Sequence, residues 1–176
     1  MKRQSVSALL ALAVVAMIGF GPMFVQAQES TGKPTTGYDL HIDAKYHFAG
    51  DGQAIAHHYC KQVAGGLVEC QIYDGEGPDA RLVGIEIVVD AATYQSFPPE
   101  EQALWHYHRQ ELPLVEATLP DLAEADAATV VESLQETYGK VYLLWDPTTQ
   151  DMPMGEPVVV NIHANVMGGA TTSPAP

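Results

Sequence analysis

From residue 38 onward, the apolar positions of this chain first alternate with polar ones, then follow a helical period, and finally alternate again. The alternation predicts strands over five segments: 55–60, 70–73, 82–89, 141–145 and 158–166. Two helical segments are predicted between the third and the fourth strand, over 98–111 and 121–138. This order predicts a single α+β domain in which two main helices pack on a largely antiparallel sheet.

Local signals predict where the two helices begin and end. The run Pro98-Pro99-Glu100-Glu101 places proline and two carboxylates in the first turn, where both are favourable, and Pro113 ends this helix. Asp121 and Glu124 form a capping-box pattern at the start of the second helix. Gly139 follows its apolar stripe and predicts its end.

The strand over 82–89 contains an unusual charge. Its β-branched residues share one face, which predicts that this face packs in the core: Val83, Ile85, Ile87 and Val89. Glu86 lies on the opposite face, in the middle of the apolar run. If the opposite face is covered as well, the carboxylate of Glu86 requires a polar partner.

The N-terminal segment, residues 1–27, has the features of a secretory signal peptide. Lys2 and Arg3 form a basic start, an apolar run follows over 8–25, and Ala27 ends a small-residue cleavage pattern. An uncleaved membrane anchor is the alternative, because the apolar run is nearly long enough to cross a bilayer. The signal peptide predicts an exported protein, either periplasmic or secreted.

The rest of the chain is predicted to contain one domain between two flexible segments. Residues 28–37 are polar, with glycine and proline, and form a flexible lead-in. Residues 168–176 contain only Gly, Ala, Thr, Ser and Pro and are predicted to be a disordered tail. The domain over 38–167 shows no internal repeat and no further apolar run that could span a membrane.

The chain is strongly acidic, and this charge restricts its partners. Its 22 Asp and Glu residues against eight Lys and Arg give a formal charge of −14, which becomes −16 without Lys2 and Arg3. Such a surface repels nucleic acid and anionic membranes. We therefore expect no nucleic-acid partner, and the charge suits a soluble exported protein.

Cys60 and Cys70 are the two cysteines of the chain. A hairpin centred on Gly65 places them opposite each other on neighbouring strands, within bridging distance. In an exported protein this arrangement favours a disulfide. Ligation of a metal ion by the two thiolates is the alternative.

Candidate chemistry is concentrated in two patches rich in histidine. His57 and His58 belong to the strand over 55–60, where successive side chains point to opposite faces, so only one of them is expected at a given site. In the first predicted helix, His106 and His108 lie about 200° apart. This angle turns His108 inward and leaves His106 nearer solvent.

A candidate metal site is predicted from these patches. His108 and Glu111 are three positions apart on the helix, close enough to share a metal ion or a proton. With Glu86 and one of His57 or His58 they supply two histidines and two carboxylates, which suits Zn, Fe or Mn. The alternative is a structural network of hydrogen-bonded side chains. The remaining histidines are interpreted as surface or strand-end residues: His41, His47 and His163.

Motifs of well-known enzyme classes do not occur in the sequence. It contains no His-Glu-x-x-His, no Gly-x-Ser-x-Gly, no P-loop and no dinucleotide fingerprint. We therefore assign no catalytic residue and expect no nucleotide cofactor. A divalent metal ion is the cofactor that the residue types favour.

Six short motifs follow one another between residues 45 and 160. They are Ala56-His57-His58-Tyr59-Cys60, Cys70-Gln71-Ile72-Tyr73-Asp74, Ala80-Arg81-Leu82-Val83-Gly84-Ile85-Glu86, Leu104-Trp105-His106-Tyr107-His108 with Glu111, Tyr138-Gly139-Lys140 with Trp145, and Met152-Pro153-Met154-Gly155-Glu156-Pro157. In this order they resemble the oil-body-associated protein family, whose domain is otherwise one of unknown function.

The resemblance implies contact with a lipid or another hydrophobic partner, because plant members are associated with seed oil bodies and their stability. It implies no catalytic residue. The export signal is a departure, so association with a cytosolic lipid droplet does not transfer. The sequence thus favours an exported protein that binds a lipid or hydrophobic partner, with two alternatives: a metal-binding protein or metal-dependent enzyme, and a structural protein of the envelope.

Overall fold

The computed structural model describes residues 33–166 and 173–174 of the 176-residue chain. The predicted signal peptide, with its membrane-anchor alternative, lies outside the described residues. So do the first part of the predicted lead-in and most of the predicted tail.

One antiparallel sheet organises the described residues. Within 33–166 and 173–174 its strands are β1 (Leu40–Ala44), β2 (Ala56–Gln62), β3 (Val68–Tyr73), β4 (Leu82–Asp90), β5 (His106–Tyr107), β6 (Thr137–Leu143), β7 (Val158–Val159) and β8 (Ser173–Pro174). The helices are α1 (Ala91–Gln95), α2 (Pro99–Gln102), α3 (His108–Leu114), α4 (Glu124–Leu134) and α5 (Ile162–Val166). The strand order is β1-β2-β3-β4-β6-β7-β8, and β5 also pairs with β6. The predicted α+β class with a largely antiparallel sheet is confirmed.

The hairpin between β2 and β3 has the predicted form. Gly65 and Gly66 turn the chain with φ of +79° and +75°, a conformation that glycine adopts without strain. The turn places Cys60 directly opposite Cys70. A disulfide joins the two residues, as predicted, so neither sulfur is a thiolate ligand in this structure.

The predicted helix over 98–111 is broken into two short ones. α2 has a single turn, β5 then pairs with β6, and the helix resumes at His108 as α3. Glu101 accounts for part of the break, because its Oε1 accepts hydrogen bonds of 2.8 Å from both Trp105 Nε1 and Lys140 Nζ. These bonds hold the chain against β6, and Tyr107 is a residue type that favours strands.

The second predicted helix, over 121–138, is shorter at both ends. α4 has Ala123 at its N-cap with no side-chain capping bond, and the carboxylate of Asp121 contacts His41 instead. Its last predicted turn belongs to β6, where Gly139 pairs with β4 and β5 rather than ending a helix. No side chain of α4 is fully buried, so the prediction of two main helices packed on the sheet is not confirmed.

The predicted core face of β4 is wrong at its centre. Ile85 is 37% exposed and Ile87 is only half-buried. Gly84, Glu86 and Val88, on the other face, are all buried. The pattern of β-branched residues does not predict which face of β4 is buried, because that face lies over polar histidine side chains as well as apolar ones.

The last predicted strand, over 158–166, is only partly correct. β7 accounts for its first two residues, and α5 follows. Asn161 starts this helix, because its side-chain oxygen accepts a hydrogen bond of 2.9 Å from the backbone N–H of Ala164. Asparagine is a favourable residue at this position of a helix.

The apolar core joins residues from both ends of the described chain: Ala44, Phe48, Ala56, Ile72, Val83, Val115, Val141, Leu143, Trp145, Val160 and Ile162. Three of these also line a cavity that contains buried histidines, namely Ala44, Val115 and Ile162. The core and the candidate site are therefore contiguous.

Asp90 ends β4 and caps α1. Its side chain accepts a hydrogen bond of 2.7 Å from the backbone N–H of Thr93, and this bond lowers the pKa of the carboxyl. Asp90→Ala is expected to lower the free energy of unfolding by about 1 kcal/mol at neutral pH. Because the folded pKa is the lower one, this stabilisation is present above the unfolded pKa and lost as the pH falls through the folded pKa.

Chemical denaturation of the wild type and of Asp90→Ala, at neutral and at increasingly acidic pH, measures this effect. The difference between the two proteins should shrink in acid. A difference that stays constant across the titration of the carboxyl contradicts the assignment of Asp90 as a charged cap.

Candidate metal centre

Four side chains with metal-ligating groups lie buried next to the core, and we call them the buried cluster: Glu86, His106, His108 and His58. Oε1 of Glu86 is 3.2 Å from Nε2 of both His106 and His108. Its Oε2 is 3.7 Å from Nε2 of His58. None of the four side chains is more than 9% exposed. One carboxylate is therefore surrounded by three imidazoles with little contact to solvent.

Three strands and the start of one helix bring these four residues together on one face of the sheet. Glu86 lies at the middle of β4, His58 in β2, His106 in β5, and His108 at the start of α3. Because β5 is extended, side chains two positions apart along it point to the same side. His106 is slightly more exposed than His108, at 9% against 7%, as predicted, but it lies in a strand rather than a helix and its ring still reaches Glu86.

The orientation of the His108 ring is set by Thr137. Nδ1 of His108 is 2.8 Å from the Thr137 hydroxyl oxygen, and that hydroxyl donates its proton to the carbonyl of Leu134 over 2.7 Å. Nδ1 must then be the donor to Thr137. In a neutral ring the proton is therefore on Nδ1, and Nε2 presents a lone pair towards Glu86.

The Nδ1 atoms of His58 and His47 are fixed as donors, like that of His108. Nδ1 of His58 is 3.1 Å from the carbonyl of Ala56, and Nδ1 of His47 is 2.9 Å from the carbonyl of Lys45. Carbonyl oxygens only accept, so both Nδ1 atoms donate. A ring whose second nitrogen is fixed in this way is typical of a histidine that ligates a metal. His47 is only 3% exposed, so its interpretation as a surface residue is wrong.

Burial sets the protonation of these groups. It lowers the pKa of His47 to about 3 and also lowers the pKa of His58, so both rings are neutral at physiological pH. Burial alone would raise the pKa of Glu86, but hydrogen bonds and charges of His106 and His108 outweigh it and hold this pKa well below its usual range. An ionised carboxylate and neutral imidazoles are the forms that bind metal ions.

Gly139 leaves the space between the ligand atoms open. A Cβ on this residue would overlap Oε1 of Glu86 and lie 2.6 Å from Nε2 of both His106 and His108. One ligand atom from each of these three side chains lies within 4.8 Å of the other two. Two donors bound to one ion at about 2.1 Å in tetrahedral geometry are about 3.4 Å apart. The observed contacts of 3.2 Å are close to that separation.

A cavity of about 40 Å³ adjoins the buried cluster and is lined mainly by apolar side chains. Glu111 lines it and is 4% exposed. Oε1 of Glu111 is 3.1 Å from Nδ1 of His163, and among the described residues its Oε2 has no hydrogen-bond partner. The partner of Glu111 is therefore His163 rather than the expected His108.

A larger cavity, of about 380 Å³, opens on the other side of His106 and Glu111, which line both cavities. Much of its wall is aromatic: Tyr94, Trp105, Tyr107 and Tyr138. We call it the aromatic cleft. Its volume falls in the range of pockets that bind small organic molecules.

His57 lies apart from the buried cluster. It is on the face of β2 opposite to His58, in a second group that contains His41, Asp43 and Glu76. His41 is 4% exposed and is therefore not a surface residue, but as the second residue of β1 it fits the other interpretation, that of a strand-end histidine. The structure thus divides the predicted ligands, and it brings three of them together: His58, Glu86 and His108.

The fold and the site together define a class of protein. Its members have an antiparallel sheet that holds a buried histidine–carboxylate cluster beside an aromatic cleft. The family described as "Protein of unknown function (DUF1264)" matches residues 33–170. The chain belongs to this family, in agreement with the resemblance that the motifs indicate. No solved structure matches it.

Plant proteins are among the relatives. Oil body-associated protein 1B of Arabidopsis thaliana is 32% identical over 130 residues, which cover 72% of this chain and 54% of that protein. Oil body-associated protein 2B of Arabidopsis thaliana is 31% identical over 145 residues, 81% of this chain and 57% of that protein. Oil body-associated protein 1A of Zea mays is 29% identical over 159 residues, with 89% and 62% covered. The chain spans little more than half the length of these relatives.

None of the helices in the described part of the chain combines the length and the apolar character that a bilayer-spanning helix requires.

Proposed function

We propose that this protein binds one divalent transition-metal ion at the buried cluster, with Glu86, His106 and His108 as ligands and His58 as the fourth. The observation that carries the proposal is the convergence of three ligand atoms on the space that Gly139 leaves open. One carboxylate and three imidazoles suit Zn, Fe or Mn, whereas Mg and Ca prefer sites made of oxygen alone.

The hydrogen bonds around His108 favour this proposal over a purely structural network. With its proton on Nδ1, a neutral His108 directs the Nε2 lone pair at a carboxylate oxygen 3.2 Å away. The contact is attractive when Nε2 is protonated, and this is the form in which His108 lowers the pKa of Glu86; in the neutral ring the contact is repulsive unless a metal ion lies between the two atoms. A metal ion supplies the cation without an additional buried ionised ring.

The aromatic cleft supports a catalytic rather than a structural role for the ion. A tetrahedral ion with four protein ligands has no free coordination position, whereas an ion that takes five or six ligands keeps a position open towards the substrate, as catalytic metal sites do. His106 and Glu111 lie between the buried cluster and the cleft. We assign Glu111, whose Oε2 has no hydrogen-bond partner among the described residues, the role of proton acceptor or donor for a small organic substrate in the cleft.

Metal titration tests the proposal. The protein lacking residues 1–27, stripped with chelator, is titrated calorimetrically with Zn²⁺, Fe²⁺ and Mn²⁺. Glu86→Gln and His108→Ala are expected to weaken binding at this site by at least about 10- to 100-fold, which is the loss typical of removing an outer-shell partner alone. Glu132→Gln, an exposed acid on α4, is the matched control and should bind as the wild type does. Loss of thermal stability in both cluster variants with unchanged affinity would instead indicate a structural network.

Binding of a lipid or another hydrophobic partner is the second function that we propose. It is supported by the names of the plant relatives and by two large apolar side chains that are well exposed, Met152 at 65% and Met154 at 63%. Flotation with zwitterionic vesicles tests it, since the acidic chain is repelled by anionic ones. Protein that stays wholly in the soluble fraction rules this function out, and loss of flotation in Met152→Ser/Met154→Ser locates the contact.

We also propose that the protein acts after export, in the periplasm or outside the cell. The predicted signal peptide supports this, and a disulfide is compatible with an oxidising compartment. N-terminal sequencing of the protein from an export-competent host is expected to begin at Gln28. If neither metal nor vesicles bind, a structural role in the envelope is the remaining proposal.

A further inference from the structure

The face of the sheet opposite the buried cluster carries a second group of ligating side chains, which we call the outer group: His41, Asp43, His57 and Glu76. Each offers one ligand atom, and these atoms lie within 4.8 Å of one another. Nδ1 of His57 is 2.6 Å from Oδ1 of Asp43 and 3.5 Å from Oε1 of Glu76. The exposure rises from 4% at His41 to 57% at Glu76, so the group opens towards solvent.

His41 contributes a buried nitrogen that makes no hydrogen bond within the described part of the chain. Its Nδ1 is 3.2 Å from Oδ2 of Asp121, which fixes the proton on that nitrogen. Its Nε2 lies 3.0 Å from Oδ1 of Asp43, but the contact does not have hydrogen-bond geometry, and among the described residues this buried atom has no hydrogen-bond partner. A buried nitrogen lone pair that faces a carboxylate is costly unless a second proton on the ring or a metal ion lies between the two atoms.

The fold holds the outer group in place. Asp43 on β1 and His57 on β2 are directly opposite each other in the sheet. The ring of His41 stacks on Tyr59 with centroids 4.5 Å apart. Backbone hydrogen bonds of 2.9 and 3.0 Å join Asp43 to Thr118, close to the segment that carries Asp121. Three of the four side chains are thus positioned by strands, and Glu76 comes from the turn after β3.

We propose that the outer group is a second metal site, which binds a divalent transition-metal ion such as Zn²⁺ through His41 Nε2, Asp43, His57 and Glu76. Two imidazoles and two carboxylates favour such an ion over Ca²⁺ or Mg²⁺. The carboxylate of Asp121 would accept the Nδ1 proton of His41 and fix the orientation of its ring, as carboxylates behind ligating histidines do. Adjacent residues of β2, His57 and His58, would then serve metal sites on opposite faces of the sheet.

Stoichiometry tests this inference independently of the buried cluster. The chelator-stripped protein lacking residues 1–27 is titrated with Zn²⁺ by calorimetry, and two equivalents are expected. His57→Ala should remove binding at the outer group and leave one equivalent at the buried cluster. Glu86→Gln should instead weaken binding at the buried cluster. Glu76→Gln, on a half-exposed side chain that the fold does not require, should weaken the outer site by about tenfold. Asp39→Asn, an exposed acid next to β1, is the matched control and should change neither site.

The outcomes separate the two sites. A single equivalent that disappears in His57→Ala and remains in Glu86→Gln supports the outer site and overturns the buried one. A single equivalent that is unaffected by His57→Ala and Glu76→Gln overturns the outer site. Circular dichroism of each variant confirms folding, and Glu76→Gln decides the question if His57→Ala does not fold.

Discussion

Gly139→Ala is expected to abolish metal binding at the buried cluster while the sheet still forms. The new methyl group would occupy the space between Oε1 of Glu86 and Nε2 of His106 and His108. The backbone of Gly139 has no positive φ, so alanine fits the strand conformation itself. We expect the affinity to fall by at least about 100-fold, because several ligand atoms are displaced rather than one outer-shell partner. Crowding of this kind should also cost about 1–3 kcal/mol of stability.

Calorimetric titration and circular dichroism of the variant measure both effects. Gly77→Ala is the control, because a Cβ at this turn glycine meets no atom within 4 Å and its backbone is not left-handed. If a folded Gly139→Ala protein keeps its metal affinity, the ion is bound elsewhere. The buried cluster would then be a hydrogen-bonded network.

Removal of the disulfide is expected to be the most destabilising change away from the metal sites. The bond between Cys60 and Cys70 closes a short loop across the first hairpin, and loops of this length contribute about 2–3 kcal/mol. For a domain of this size, that loss corresponds to a melting temperature lower by about 5–10 °C. Both cysteines are at most 3% exposed, so replacing them leaves additional unfilled space in the interior.

Thermal unfolding of Cys60→Ala/Cys70→Ala is compared with that of the oxidised and the reduced wild type. The reduced protein separates loss of the bond from loss of the sulfur atoms. Metal binding should remain in all three, because neither cysteine belongs to a proposed ligand set. If reduction leaves the melting temperature unchanged, the hairpin is held by its strand pairing alone.

Local patterns were sufficient to predict β2, β3 and β4, but they missed β1. Alternation and a glycine turn predicted the β2–β3 hairpin, and the spacing of Cys60 and Cys70 about Gly65 predicted their pairing. Glu86 was recognisable as a candidate because a carboxylate in an apolar strand requires a partner. These inferences depend on neighbours in the sequence, where the period of a strand fixes which side chains share a face.

The second half was predicted less well because tertiary contacts override the local pattern there. The run around His106 has helical start signals, yet Glu101 joins it to Lys140 and the chain becomes a strand. The same change brings the ring of His106 to Glu86, a contact that the helical spacing did not predict. His47 carries no local signal at all, since only its distant contact with His58 shows that it belongs there.

The register of the β2–β3 pair determines which face of the sheet each of the adjacent histidines, His57 and His58, points to. A shift of one residue in a strand moves every side chain to the opposite face. Such a slip in β2 would send His57 inward to Glu86 and turn His58 out towards Asp43, exchanging their roles. The covalent bond from Cys60 to Cys70 forbids this slip, because it fixes one rung of the ladder. The disulfide therefore reinforces the register that the paired strands already set, and with it the side of the sheet that each histidine faces.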